Sequence, residues 1–145
     1  MSLPVSADSS GFFDHPWLAA WVASQDGELV GHVALHARSA EPVNELACEA
    51  TGLPLEHLGV LARLFVAIEC RRGGLARRLV DLAVGEAHAL RRQPVLDVNV
   101  LFEPAIALYE SCGWTRVGDV RFAFSDAGRR HEAHSWVYVG PPPPS

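Results

Sequence analysis

The stretch Val66-Ala67-Ile68-Glu69-Cys70-Arg71-Arg72-Gly73-Gly74-Leu75-Ala76 decides how this chain folds. It closes a near-continuous apolar run, residues 60–68, which predicts a central strand buried on both faces. It opens a segment, residues 75–90, in which Leu75, Leu79, Leu82, Ala83 and Leu90 recur near helical spacing. Arg77, Arg78, Asp81 and His88 take the opposite face of that helix. Paired glycines at such a strand-to-helix turn let successive backbone N–H groups face one ligand. The positive end of a helix then favours an anion, a phosphate above all. The loop is not a Walker loop, which needs Gly-x-x-x-x-Gly-Lys, and it lacks the Gly-x-Gly-x-x-Gly of dinucleotide folds. A plain turn with Arg71 and Arg72 in water is the other reading of the same residues.

Outward from this stretch the elements follow in order. Residues 1–16 read as an irregular N-terminal segment, and residues 17–24 as a strand. Asp26-Gly27 signals a turn, and residues 29–37 form the antiparallel partner. Residues 41–50 predict a short helix, with Pro42 near its start and Gly52 past its end. On the C-terminal side, residues 95–100 predict a strand and residues 104–112 a helix ended by Gly113. Two further strands, 115–124 and 134–139, flank a turn at Ser125-Asp126-Ala127-Gly128. Gly140 and prolines 141–144 predict a frayed, polyproline-like tail, 140–145. The sum is one α/β (α+β) domain over residues 17–139 with a mixed sheet.

Composition narrows the chemistry. The chain has 145 residues, enough for one domain with a sizeable core. Its 12 basic residues are all arginine. Schiff-base lysines, phosphate-binding lysines and lysine bases are therefore excluded. A net charge of -5 argues against nucleic-acid partners. Cys48, Cys70 and Cys112 form no CxxC pair, which predicts reduced thiols, no zinc knuckle and a cytoplasmic setting. No metal site is expected: His131 and His134 fall on opposite strand faces, and His32 and His36 stand ~13 Å apart. No apolar run reaches the ~18 residues that span a bilayer, so no membrane partner is expected. The Ala, Gly, Pro and Arg bias suggests a GC-rich, bacterial coding source.

Arg71, Gly74 and Ala76 resemble motif A, Gln/Arg-x-x-Gly-x-Gly/Ala, of the GNAT superfamily of N-acetyltransferases. The block from Pro104 to Trp114, with Ala105, Leu108, Tyr109 and Gly113, is similar to the family's Ala-x-x-Leu-Tyr-x-x-x-Gly-Phe/Trp segment. The hairpin ending Gly31-His32-Val33-Ala34 resembles the family's second and third strands. The resemblance covers about residues 17–139. It implies a mostly antiparallel, twisted sheet of about six strands flanked by helices. It implies acetyl-CoA, or another acyl-CoA, as donor, with an amine as acceptor.

The resemblance also assigns residues. The pyrophosphate would sit on the loop amides of Arg71, Arg72, Gly73, Gly74, Leu75 and Ala76, with Arg77 and Arg78 in the basic cluster beside it. The pantetheine arm would pair with the fourth strand around Leu64, Phe65 and Val66, like an added strand. A backbone N–H near Val66 would hold the oxyanion. Tyr109 aligns with the general acid; an ordinary tyrosine, pKa about 10, keeps its proton at neutral pH. Packing is the other reading of Tyr109, and the expected role of Tyr138. No base stands out. The fourth strand opens Leu58-Gly59-Val60-Leu61, where some members carry an acid. Glu56, His57, Glu69 and His36 are the nearest candidates, each equally readable as a surface residue. Phe102 stands where many members have an asparagine, and Asn99 lies three residues earlier.

Members of the family begin with a strand and two helices, for which the 16 residues before Trp17 are too few. The expectation is a shortened chain, or a second subunit over the acceptor side, which leaves a homodimer open. The 39–58 insertion, with Glu41, Glu45, Glu49 and Glu56, is expected to replace part of that wall and to suit a cationic amine, a plain solvated face being the equal reading of the same glutamates. A non-catalytic acyl-CoA-binding or regulatory module is the alternative function.

Overall fold

A computed structural model describes residues 4–7, 17–71 and 73–144. The strands are β1 (Val5–Ala7), β2 (Trp17–Gln25), β3 (Glu28–His36), β4 (Leu58–Val66), β5 (Gln93–Asn99), β6 (Thr115–Asp126) and β7 (Arg129–Val139). The helices are α1 (Glu41–Thr51), α2 (Leu75–Ala89) and α3 (Glu103–Ser111). They build one seven-stranded sheet in the order β1-β2-β3-β4-β5-β7-β6. Only β4 and β5 run parallel; the other neighbours are antiparallel. The expected mixed sheet is present, with seven strands in place of about six. The extra one is β1, which pairs Val5 with Ala23 and Ala7 with Trp21 inside the segment read as irregular.

Local chemistry accounts for the elements. Asp26 and Gly27 both take positive φ (53° and 81°), and so do Ala127 and Gly128 (52° and 76°). Two-residue turns of that hand match the twist of the strands they join. Pro42 and Pro104 occupy first-turn helix positions, where a missing N–H costs nothing. Gly52 ends α1 in the left-handed conformation.

Two cores cover the two faces of the sheet. On one face α2 and α3 pack over Val33, Leu61, Leu79, Val80, Leu96, Tyr109 and Tyr138. On the other, α1 sets Val43 and Ala47 against Leu58, Val60, Val95 and Val137. Both helices seat closely over a glycine. A Cβ on Gly31 would lie 3.0 Å from Leu75 Cδ2 and 3.2 Å from Leu79 Cδ1. One on Gly118 would lie 3.0 Å from Leu46 Cδ2, under α1. The insertion thus walls one face of the sheet, but through its apolar side. Glu41, Glu45, Glu49 and Glu56 are exposed to solvent.

The C-terminal tail departs from its reading as a frayed end. Gly140 N–H donates to Pro94 O at 2.9 Å, and Gln93 Nε2 donates to Gly140 O at 2.8 Å. His88 Nε2 donates to Pro141 O at 2.8 Å. Gly140 lies flat on Trp114, whose ring stands 3.0 Å from where a Cβ would be.

Candidate functional site

Parallel pairing between β4 and β5 runs only from Leu58–Gln93 to Val60–Val95. Beyond it β4 continues to Val66 and β5 to Asn99 without joining each other. The sheet is therefore split at its centre. A bulge in β4 marks the split: Val33 of β3 stands opposite two residues, Arg63 and Leu64. Arg63 takes φ +55°, and its carbonyl accepts a hydrogen bond from His32 Nδ1 at 3.0 Å. An extra residue of this kind bends its strand and breaks pairing.

Backbone groups of β4 face the gap. Ala67 N–H donates to Val30 O at 2.8 Å, so by antiparallel alternation Phe65 faces β3, and Leu64 and Val66 face away. Val66 O confirms that direction, since it accepts from Arg71 Nε at 3.2 Å rather than from β3. Leu64, Phe65 and Val66, the residues assigned to the pantetheine arm, thus line the open edge. Leu64 and Val66 turn their side chains into the core beneath α2, and Phe65 is 46% exposed.

The strand end leads through a 3-10 turn at Ile68–Cys70 to the glycine loop. Gly74 caps α2 at φ +76°, with no side-chain cap. Arg78 N–H closes the first turn on Gly74 O. The N–H groups of Leu75, Ala76 and Arg77 have no acceptor among the described residues. The arginine cluster is only partly aimed at the loop. Arg71 buttresses the strand end, and Arg77 donates to Ser111 Oγ at 2.7 Å and to Cys112 Sγ at 3.4 Å, tying α2 to α3. Arg77 therefore offers the loop its backbone N–H, not its guanidinium. Arg72 lies outside the described residues.

Tyr109 projects from α3 into the core and is 6% exposed. Its ring packs against Trp114 and Tyr138, with centroids 5.9 and 6.5 Å away. Burial first, then the charges of Asp97 and Cys112, push its pKa up to about 12. Tyr138 does more than pack: its hydroxyl donates to Glu110 Oε2 at 2.6 Å and accepts from Arg116 at 2.9 Å.

The other face of the gap opens into a cleft of about 710 Å³. Arg63 lines it from β4 and Asp97 and Asn99 from β5, with Phe122, Phe124, His131 and Glu132 from the β6–β7 hairpin. Asp97 Oδ1 accepts from Ser39 Oγ at 3.1 Å. Burial raises its pKa above the ordinary carboxylate value, against the opposing pull of hydrogen bonds from Ser39, its own backbone and Ser135. Asp97 is a candidate site residue that the sequence reading missed. Its signal was a single acid inside an apolar strand, Val95-Leu96-Asp97-Val98. The base candidates named from sequence do not line this cleft. Glu56, His57 and Glu69 are exposed, and His36 stacks on Trp17 at 5.4 Å. Asn99 shapes the turn into α3, accepting from Leu101 N–H at 2.9 Å, and also lines the cleft; Phe102 is 60% exposed.

The sheet is thus split between its parallel central strands, with a glycine-capped helix N-terminus on one side and an acid-bearing cleft on the other. The acetyltransferase (GNAT) family model matches residues 3–114, and the chain belongs to that family. The rat protein N-acetyltransferase family 8 member 3 is 31% identical over 105 residues, 72% of this chain. The chain spans 41% of that relative's length. Among solved structures, an IAA acetyltransferase from Bacillus cereus has a TM-score of 0.65 at 13% identity, covering 96% of this chain and 99% of the other. Arabidopsis thaliana NAA60 in complex with acetyl-CoA has a TM-score of 0.63 at 23% identity, covering 83% of this chain and 74% of the other. The Escherichia coli ribosomal-protein-S18-alanine N-acetyltransferase has a TM-score of 0.61 at 18% identity, covering 90% of this chain and 72% of the other. These structures share the fold.

Proposed function

We propose that this protein transfers an acetyl group from acetyl-CoA to an amine by direct attack on the thioester. The observation that carries the reading is the β4–β5 gap, with the glycine loop following the end of β4 and the Asp97 cleft lined from both strands. An acyl-CoA fits that gap in a fixed sense. Its pyrophosphate meets the N–H groups of Leu75, Ala76 and Arg77, and its amide-bearing arm pairs along Leu64 to Val66. The thioester then lies at the bulge, where a β4 N–H donates to the carbonyl oxygen as it becomes an oxyanion.

The amine enters from the cleft. Its nitrogen attacks the carbonyl carbon, the C–S bond breaks, and the sulfur keeps the electron pair. Asp97 takes the proton that the nitrogen sheds. A carboxylate with a raised pKa accepts a proton more readily than an ordinary one.

Tyr109 acts on the leaving sulfur chiefly as a hydrogen-bond donor. Proton transfer from a phenol at about 12 to a less basic alkyl thiolate runs uphill. A donor that stays protonated stabilises the thiolate throughout. Calorimetry with acetyl-CoA, followed by thiol release across an amine panel, tests the reading. Saturable binding with turnover is the expected result, and no acetyl-CoA binding overturns it. Binding without turnover on any amine would return the non-catalytic module.

A further inference from the structure

We propose that the acceptor is a free α-amino acid with an apolar or aromatic side chain, its carboxylate on Arg63, its amine at Asp97 and its side chain along Phe122 and Phe124. This inference rests on the acetyl-transfer reading and specifies its substrate class. The banks of the gap carry opposite charge. Arg63 lines the cleft from β4, and Asp97 lines it from β5. No ion pair joins them, and among the described residues the Arg63 guanidinium has no hydrogen-bond or ion-pair partner. The cleft thus holds a cation and an anion apart across the gap where the thioester would lie. An α-amino acid carries the complementary pair of charges on two groups attached to one carbon, and a planar guanidinium grips a carboxylate in two parallel hydrogen bonds.

Backbone geometry points the same way. Arg63 is the extra residue of the bulge and sits at φ +55°. That conformation is strained for a side-chain-bearing residue, a strain glycine would avoid. Here an arginine holds it, on the rim of the cleft.

The third wall sets the side chain. Phe122 and Phe124 stand 6.3 Å apart, and His131 stacks on Phe124 at 5.1 Å. Glu132 joins them on the same hairpin and repels an acidic side chain. A peptide N-terminus is a poorer fit, because an amide replaces the carboxylate and leaves Arg63 unmatched.

The test is calorimetry in saturating CoA with L-phenylalanine, phenethylamine and L-phenylalanine amide, with kcat/KM measured on the same compounds using acetyl-CoA. L-Phenylalanine is expected to bind at least 10-fold tighter than either analogue. Arg63→Met should bring the three within about 2-fold, and Arg63→Lys, which keeps the charge without the fork, should restore part of the preference. Circular dichroism checks that each variant is folded. Equal binding of phenethylamine or the amide, an equal loss on all three compounds in Arg63→Met, or no detectable phenylalanine binding overturns the proposal. Acetylated phenethylamine formed as fast as acetylphenylalanine sinks this inference and leaves acetyl transfer standing. Arg63-dependent phenylalanine binding with no acetyl product from any amine does the reverse.

Discussion

At the scale of single residues, Asp97 and Tyr109 pull stability and activity in different directions. The native state holds the Asp97 proton more tightly than the unfolded chain does. Its contribution to stability is therefore present at acid pH and falls as pH rises from the ordinary value through the raised one. Asp97→Asn keeps an acceptor for Ser39 and removes a buried charge. Its melting temperature at pH 7 is expected to equal or exceed that of the wild type, while kcat falls roughly 10²-fold or more. A large loss of stability with kcat intact would make Asp97 a structural residue. For Tyr109, stability is full below pH 10 and is lost as pH rises from 10 toward 12. Ultraviolet titration should show one phenol ionising near 12, and that step should vanish in Tyr109→Phe. The same variant should slow turnover and leave acetyl-CoA affinity near the wild-type value. Tyr109 was legible in sequence because its neighbours from Ala105 to Trp114 carry a local signature. Asp97 was not, since its partner Ser39 lies 58 residues away and only the fold brings them together.

Among the elements, α2 depends on a residue it does not contain. Gly31 on β3 lets Leu75 and Leu79 seat the first turns of the helix against the sheet. Gly31→Ala crowds the Leu75 and Leu79 methyls and Ala23 Cβ, and overpacking of this kind costs about 1–3 kcal/mol. Urea denaturation should show the loss. Acetyl-CoA affinity should weaken with it, because the same turn presents the loop amides. Unchanged affinity in a destabilised Gly31→Ala would separate the loop from the helix seat. Strand and helix existence was readable from period and punctuation: Asp26-Gly27, Pro42, Pro104 and Gly113 each did what their chemistry dictates. The split between β4 and β5 was hidden. Its bulge residue is an arginine, and no local rule marks an arginine for positive φ. Residues 60–68 read as buried on both faces, but burial alternates from Ala62 onward because β4 has lost its neighbour on one side.

The whole molecule is closed by its tail. Gly140 and Pro141 make three hydrogen bonds, to Pro94, Gln93 and His88, and Gly140 covers Trp114. Ending the chain at Val139 would leave the buried Gln93 amide only its longer bond to Pro94 O and uncover the indole. At about 1 kcal/mol per hydrogen bond, a loss on the order of 3 kcal/mol is expected, read by thermal or urea unfolding. An unshifted midpoint would restore the frayed reading. The composition of that segment, one glycine and four prolines, gave no hint of docking, because the tail's own bonding groups are backbone carbonyls and one amide and carry no side-chain signature.

A hole through a sheet also has kinetic meaning. On the proposed reading, donor and acceptor would reach the reacting centre through separate doors, one beneath α2 and one beside the β6–β7 hairpin, so neither would need to leave before the other arrives. Both substrates would be aboard together, and no acetylated form of the protein would need to accumulate between half-reactions. Double-reciprocal plots should intersect rather than run parallel. Free CoA should compete with acetyl-CoA at its own door and leave the other one open.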